Sequence, residues 1–183
     1  MKLFFLLGIA FSLIFATTIN GSLLKIHATI VPKLFLMDYS YKEKVNNNSI
    51  IIALIYNRVD YKKALLLKNR IEDRYSRGLK SFHIKTKLVL YSDIDGFDAN
   101  IYYLFPSESE DIRKVLKKAD ENQALTFSYL ENDLKYGVMI SLNIGKKVRP
   151  ILNLDAIRQY KISFRPILLD ICNIYVNNKE DIL

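Results

Sequence analysis

A mixed β-sheet with helices on its faces is the fold class that three observations predict for this chain of 183 residues. Continuous β-branched runs of strand length recur along it, segments of helical period alternate with them, and polar, Gly- or Pro-containing breaks separate the two. The order is strand, helix, strand, then strand, helix, strand, then a hairpin and terminal helices, which places parallel strands under crossover helices. Half of the residues are apolar and a quarter charged, with six Gly and four Pro. That balance excludes a disordered or low-complexity chain and allows one domain with a sizeable core.

At the N-terminus Lys2 precedes an apolar run over 3–15 and a small, polar stretch over 16–22, the order of a secretory leader. The run is short for a bilayer span, which needs about 20 residues. We therefore expect residues 1–21 to be a signal peptide, cleaved after Ala16, Thr18 or Gly21, and residues 22–183 to be one exported domain. Residues 23–38 are apolar on most faces and contain Pro32, which predicts a buried helix kinked or interrupted there. The run SIIIALIY over 49–56 reads as a strand covered on both sides. Asp60 is placed to cap a helix over 61–75, with Ala64, Leu65, Ile71 and Tyr75 on one face and Gly78 as a left-handed terminal residue.

Residues 84–91 alternate as a strand, and 99–105 (ANIYYLF) form a second buried strand stopped by Pro106. Ser107 or Ser109 can cap a helix through Ala119, with acids at Glu108, Glu110 and Asp111 in its first turn and Lys117 and Lys118 in its last. A short strand over 124–129 follows. Residues 137–144 and 148–152 read as a hairpin across Gly145-Lys146-Lys147. Asn153 or Asp155 starts a short helix to Tyr160, and Pro166 opens a final helix through Tyr175.

The residue inventory limits the chemistry. With two His and one Cys, no two of His27, His83 and Cys172 stand at zinc-ligand spacing, and no intrachain disulfide can form. Cys172 sits in an apolar run, where a thiol acts as a small hydrophobe. No glycine pattern makes a phosphate loop, and no nucleophile elbow is present. In Asp93-x-Asp95-Gly96-x-Asp98 the glycine falls at the fourth position rather than the sixth, and Leu104 stands where a calcium loop has Glu, so a solvated turn is expected. We expect no catalytic residue, no metal and no cofactor.

Charge supplies one positive signal. Lys plus Arg total 27 against 19 acids, a net charge of +8. Between residues 58 and 87 ten basic residues face three acids. Lys63, Arg70, Arg74 and Arg77 recur at helical spacing, which would gather them as a basic face toward a partner or a membrane surface. Nucleic acid is the ordinary partner of such a face, but an exported protein does not usually meet it; anionic headgroups or an acidic patch on a membrane protein suit the compartment.

The C-terminal third carries a resemblance. Gly137-Val138-Met139-Ile140, then Val148-Arg149-Pro150-Ile151-Leu152-Asn153-Leu154-Asp155-Ala156, then Lys161-Ile162-Ser163 resemble the signature of YfiR-like (HmsC-like) periplasmic proteins. In that family a GGMI strand, a turn and an RFEINL strand-to-helix segment precede an LKIS and a terminal helix. Tyr136 stands where the family has its first glycine, and Pro150-Ile151 where it has Phe-Glu. The resemblance implies a single Rossmann-like α/β domain that is periplasmic and non-catalytic. It implies binding to the periplasmic part of an inner-membrane signalling protein, a diguanylate cyclase that it represses or a sensor kinase, and it is compatible with a homodimer. The cysteine pairs of redox-responsive members are absent, so disulfide-based activation is not expected. The alternative expectation is a periplasmic small-ligand-binding or transport accessory protein with its pocket at the carboxyl edge of the sheet.

Overall fold

In the computed structural model, which describes residues 19–45, 47–144 and 147–176, the first described helix is α1, Gly21–Phe35, which runs on through Pro32 for three more residues. Asn20 caps it, its side chain accepting from the Ser22 amide at 2.8 Å. The apolar run becomes strand β1, Ser49–Tyr56, buried along nearly its whole length. Helix α2, Tyr61–Arg74, buries Ala64, Leu67 and Ile71. Leu67 takes the place expected for Leu65, because residues 64, 67 and 71 share a face at 100° per residue and 65 does not. Asp60 makes no side-chain cap to α2. Gly78, at φ 82°, does turn the chain back toward strand β2, His83–Leu90; a Cβ there would lie 2.6 Å from the Phe82 carbonyl oxygen.

A 3-10 turn over Tyr91–Gly96 leads to strand β3, Ile101–Leu104. Helix α3, Ser109–Glu121, follows without a side-chain cap. Ser107, expected to supply one, instead donates its hydroxyl to Asp111 at 2.6 Å and receives the Asn57 amide at 2.9 Å. Strand β4 is Leu125–Ser128. A second 3-10 turn, Glu131–Tyr136, ends on Gly137 at φ 106°, so strand β5 starts only at Ile140 and runs to Ile144. It pairs antiparallel with β6, Val148–Asn153; Gly145 and Lys146 of the expected turn lie outside the described residues.

Asn153 caps helix α4, Leu154–Gln159, by accepting from the Ala156 amide at 3.1 Å. The last helix, α5, is shorter than expected: it spans Pro166–Ile171 and gives way at Cys172 to a seventh strand, β7, Asn173–Tyr175, parallel to β6. The β-branched Ile174 and aromatic Tyr175 suit a strand, and pairing with Ile151 to Asn153 supplies the hydrogen bonds that a helix would have used.

The sheet order is β2-β1-β3-β4-β5-β6-β7. Strands β1 to β5 are parallel, and β6 reverses. The order 2-1-3-4-5 is that of a doubly wound sheet, with its switch point between β1 and β3. One face packs against α1, α2, α4 and α5 through a large core that includes Ile52, Leu54, Tyr103, Phe105 and Phe127. The other is covered by α3 and the 3-10 turns over Tyr91–Gly96 and Glu131–Tyr136, through residues such as Ala53, Tyr102, Ile112, Val115 and Leu134. The β2-to-β3 connection is only a 3-10 turn, so no helix covers the outer half of β2 on that second face, and His83, Lys85 and Lys87 are exposed there.

The segment after α1 is stitched to the segment before α5. Asp38 forms an antiparallel bridge with Phe164, the Tyr39 amide donates to the Ser163 carbonyl at 2.8 Å, and the Arg165 amide to the Met37 carbonyl at 2.9 Å. The Asp38 carboxylate is fully buried and meets the Lys44 ammonium at 2.6 Å. On the same side of the sheet His27 is buried among Tyr103, Phe127 and Tyr129, with its Nδ1 2.7 Å from the Tyr103 hydroxyl.

Candidate functional site

Of the four basic residues singled out by spacing, Lys63, Arg70 and Arg74 lie on α2 and Arg77 lies beyond it, and the fold separates them. Lys63 is half-buried in the first turn, Arg74 is exposed at the end of the helix, and Arg77 is exposed in the turn before Gly78. Arg70 points inward toward α1 and donates from its guanidinium to the Gly21 carbonyl. Arg70 and Arg74 meet at a groove of about 480 Å³ between α1 and α2, which Lys25 and Asp73 also line. Lys63 and Arg77 do not line it. Lys25 belongs to another helix, and no local spacing in the sequence ties it to α2. The Tyr75 hydroxyl, donated to the Thr29 carbonyl at 2.7 Å, closes the lower end of the helix pair; burial raises its pKa and the neighbouring Arg74 guanidinium partly offsets that.

Further basic residues continue onto the edge of the sheet. Lys68 pairs with Glu72 one turn along α2, while Lys85 and Lys87 stand exposed on β2. Charges on an edge strand oppose pairing with the sheet of another molecule, so this side of the domain is solvated and electropositive.

The opposite end of the sheet is apolar. Among the described residues eight large hydrophobics are exposed, and five of them are clustered here: Ile167, Leu169 and Ile171 on α5, Ile174 on β7 and Val176 just after it. The amphipathic pattern expected of a long terminal helix is not completed, because only Leu168 of α5 is buried. Cys172 is half-buried between the two elements, and burial pushes its thiol up to about 11. It is therefore a thiol rather than a thiolate at neutral pH.

A third feature lies at the carboxyl ends of β1 and β2. A cavity of about 620 Å³ has Leu90, Tyr91 and Ile94 among its walls and Arg58, Asp95, Asp111 and Lys114 around it. The Tyr91 hydroxyl is committed to the Phe105 carbonyl at 2.6 Å, and Lys114 pairs with Glu110 at 3.0 Å. Two of the neighbouring acids are engaged individually: Asp98 meets Lys118 at 2.8 Å and Asn122 at 3.1 Å, which holds its carboxyl below the usual range, and Asp93 accepts from Ser92. No group of three or more potential metal ligands occurs among the described residues, and no described helix is long and apolar enough to cross a membrane.

A family model described as YfiR/HmsC-like matches residues 56–172, more than half of the chain. No curated protein matches the sequence. Among solved structures, the chain is similar to a conserved domain protein from Vibrio cholerae O1 biovar El Tor, with TM-score 0.56 and 10% identity over 82% of this chain and 59% of that one. It is also similar to an ABC domain in complex with L-Trp from Streptococcus pneumoniae, with TM-score 0.57 and 8% identity over 84% of this chain and 62% of that one. The chain thus spans less than two thirds of either neighbour, and at these identities the likeness is one of fold.

Proposed function

This chain belongs to the YfiR/HmsC-like family, whose members are periplasmic regulators of diguanylate cyclase signalling, and we propose that it is a non-catalytic member that docks on the periplasmic part of an inner-membrane signalling protein. The reading takes residues 1–21 as the export leader, a segment that lies mostly outside the described residues, and takes the partner to be a diguanylate cyclase held in a repressed state. The observation that carries it is the apolar surface of α5 and β7. Ile167, Ile171 and Val176 each expose more than half of their surface, a concentration that an isolated domain has no use for and that a partner would bury. The basic residues of α2 and β2 lie elsewhere and supply long-range attraction to an acidic partner or to anionic headgroups.

The two surfaces predict different kinetic signatures. Ile171→Glu with Ile174→Glu should weaken binding to the captured membrane partner by about 100-fold, chiefly through faster dissociation, with the melting temperature unchanged. Lys63→Glu, Arg74→Glu and Arg77→Glu together should slow association by roughly tenfold at low salt and leave it unchanged at high salt. Arg70 is left out because its guanidinium holds Gly21. Wild-type affinity in the isoleucine variant would remove the docking surface from the proposal. A salt-independent on-rate would remove the basic face. Pull-down after cross-linking in cells, with cyclic di-GMP measured in a deletion strain, identifies the partner; raised cyclic di-GMP is the expected result, and an unchanged level with no membrane protein recovered would overturn the regulator reading.

A second reading, a small-ligand or transport accessory protein, is favoured by the cavity at the carboxyl ends of β1 and β2, the position where doubly wound sheets receive ligands. Because the Streptococcus pneumoniae neighbour is described in complex with L-Trp, amino acids head the screen. A ligand at 100 times its dissociation constant should stabilise the domain by about 2.7 kcal/mol in thermal unfolding, and Arg58→Ala should abolish the shift. A metabolite panel without any shift would remove this reading.

A further inference from the structure

Strand β2 forms one edge of the sheet and pairs only with β1 among the described strands. The His83 amide donates to the Asn48 carbonyl at 2.9 Å on the β1 side, and in a ladder the main-chain groups of successive residues point to alternate sides. The amides and carbonyls of Ile84, Thr86 and Leu88 therefore point away from β1. None of them has a hydrogen-bond partner among the described residues. Such a row is a template for one more strand.

A hollow of about 390 Å³ follows this edge, lined by the run from Ile84 to Leu88 with Lys68 and Glu72 of α2 beside it. Ile84 and Leu88 are half-buried and pack on the α2 side of the sheet, whereas Lys85 and Lys87 are exposed on the face that no helix covers. Thr86, between the two apolar residues, is 3% exposed, and its hydroxyl is buried without a hydrogen-bond partner among the described residues. A buried hydroxyl is ordinarily bonded, and a threonine on an added strand would bond this one as cross-strand threonine pairs do.

Charge selects the occupant. Strand β2 carries no acid, the residues of β1 beside Lys85 and Lys87 are Ile51 and Ala53, and neither lysine makes an ion pair among the described residues. Side chains two apart on a strand stand roughly 7 Å apart on one face, which is also the spacing of alternate residues in an extended peptide. Lysines on an edge reject a strand of like charge, a second copy of β2 included, and favour one with acids opposite them.

We propose that the free edge of β2 binds an extended acidic segment of a partner protein as an additional strand, its acids on the face of Lys85 and Lys87 and its small or β-branched residues on the face of Ile84, Thr86 and Leu88. The site lies at the opposite edge of the sheet from the apolar surface of α5 and β7 and does not depend on the regulator reading.

Titration of the full chain with a capped peptide, with Glu at alternate positions and Val, Thr and Val between them, tests this by fluorescence anisotropy. Saturable binding is expected. Lys85→Glu with Lys87→Glu should weaken it by about tenfold with the melting temperature unchanged, and this variant should instead take up the peptide in which Lys replaces Glu. Ile171→Glu with Ile174→Glu should leave peptide binding as it is, which separates a failure of this proposal from a failure of the α5 and β7 surface. Methylating the main-chain nitrogens of one alternate set of peptide residues should abolish binding and methylating the other set should not, since only one set faces β2 in a ladder. Equal effects of the two sets, or equal binding of a peptide of the same composition with its Glu residues contiguous, would show charge attraction without strand pairing and overturn the proposal. Absence of peptide binding would overturn it too, as would binding only to vesicles of anionic phospholipid.

Discussion

Asp38→Ala should lower the stability of the domain by about 3–5 kcal/mol, a fall in melting temperature of roughly 10 °C. The Asp38 side chain is wholly withdrawn from solvent, and the Lys44 side chain with which it pairs is 12% exposed. Removing the carboxylate leaves a nearly buried ammonium without a counter-charge, and two further donors, the Ser40 amide and hydroxyl at 3.0 Å, lose their acceptor. The damage also reaches the pairing of the segment after α1 with the segment before α5, since Asp38 is the residue bridged to Phe164. The pair need not be stabilising relative to an apolar pair of similar volume. Asp38→Leu combined with Lys44→Met should therefore recover most of the loss. Chemical denaturation of the single and double variants checks both statements, and equal losses in the two would show that the loop rather than the charge is at stake.

The second large effect is a loss of stability on mild acidification, centred on His27. Burial lowers its pKa from 6.5 to about 3. Its Nδ1 faces the Tyr103 hydroxyl, its Nε2 is buried with no hydrogen-bond partner among the described residues, and its other ring contacts are Phe127 and Tyr129. No acceptor stands ready for the second N–H of an imidazolium. The folded state therefore binds the proton more weakly than the unfolded chain. Its contribution is complete above pH 6.5 and is lost progressively as the pH falls toward 3. Between pH 6.5 and 5 the loss should be about 2 kcal/mol.

Asp60 and Asp133, whose pKa values burial raises, change stability with the opposite sign at the lower end of that window, so the comparison must be made between variants. His27→Gln retains a group that can bond Tyr103 and removes the titration. Its stability should be flat from pH 6.5 to 5.5, where the wild type declines. Parallel slopes in the two proteins would assign the acid sensitivity to another group.

The parts of the fold that were legible in the sequence are those encoded by short-range pattern. Residues 49–56 gave a strand with the observed bounds because eight consecutive apolar or small positions admit little else. Asn153 was readable as a cap because its side chain reaches only three residues on. The family was readable from residues 137–163 for a similar reason: glycine, strand and cap positions there are fixed by local backbone geometry. What was not legible depended on distant partners. Residues 166–175 carry enough apolar character for a helix, and only the free edge of β6 turns the last three into β7.

What the chain determined by itself was its class, its alternation of elements, its excess of basic charge and its family. The tertiary structure alone decided which charges are free. Arg70 and Arg74 are alike in spacing, yet one is spent on the Gly21 carbonyl and the other faces a groove. It likewise decided that His27 would meet Tyr103, 76 residues away, in a site without a second acceptor, and that the apolar residues of α5 and β7 would be left uncovered. The physical reason is common to all three. Periodicity reports whether a side chain lies on an apolar or a polar face of its own element, while its partners, its solvation and its exposure are set by elements distant in the chain.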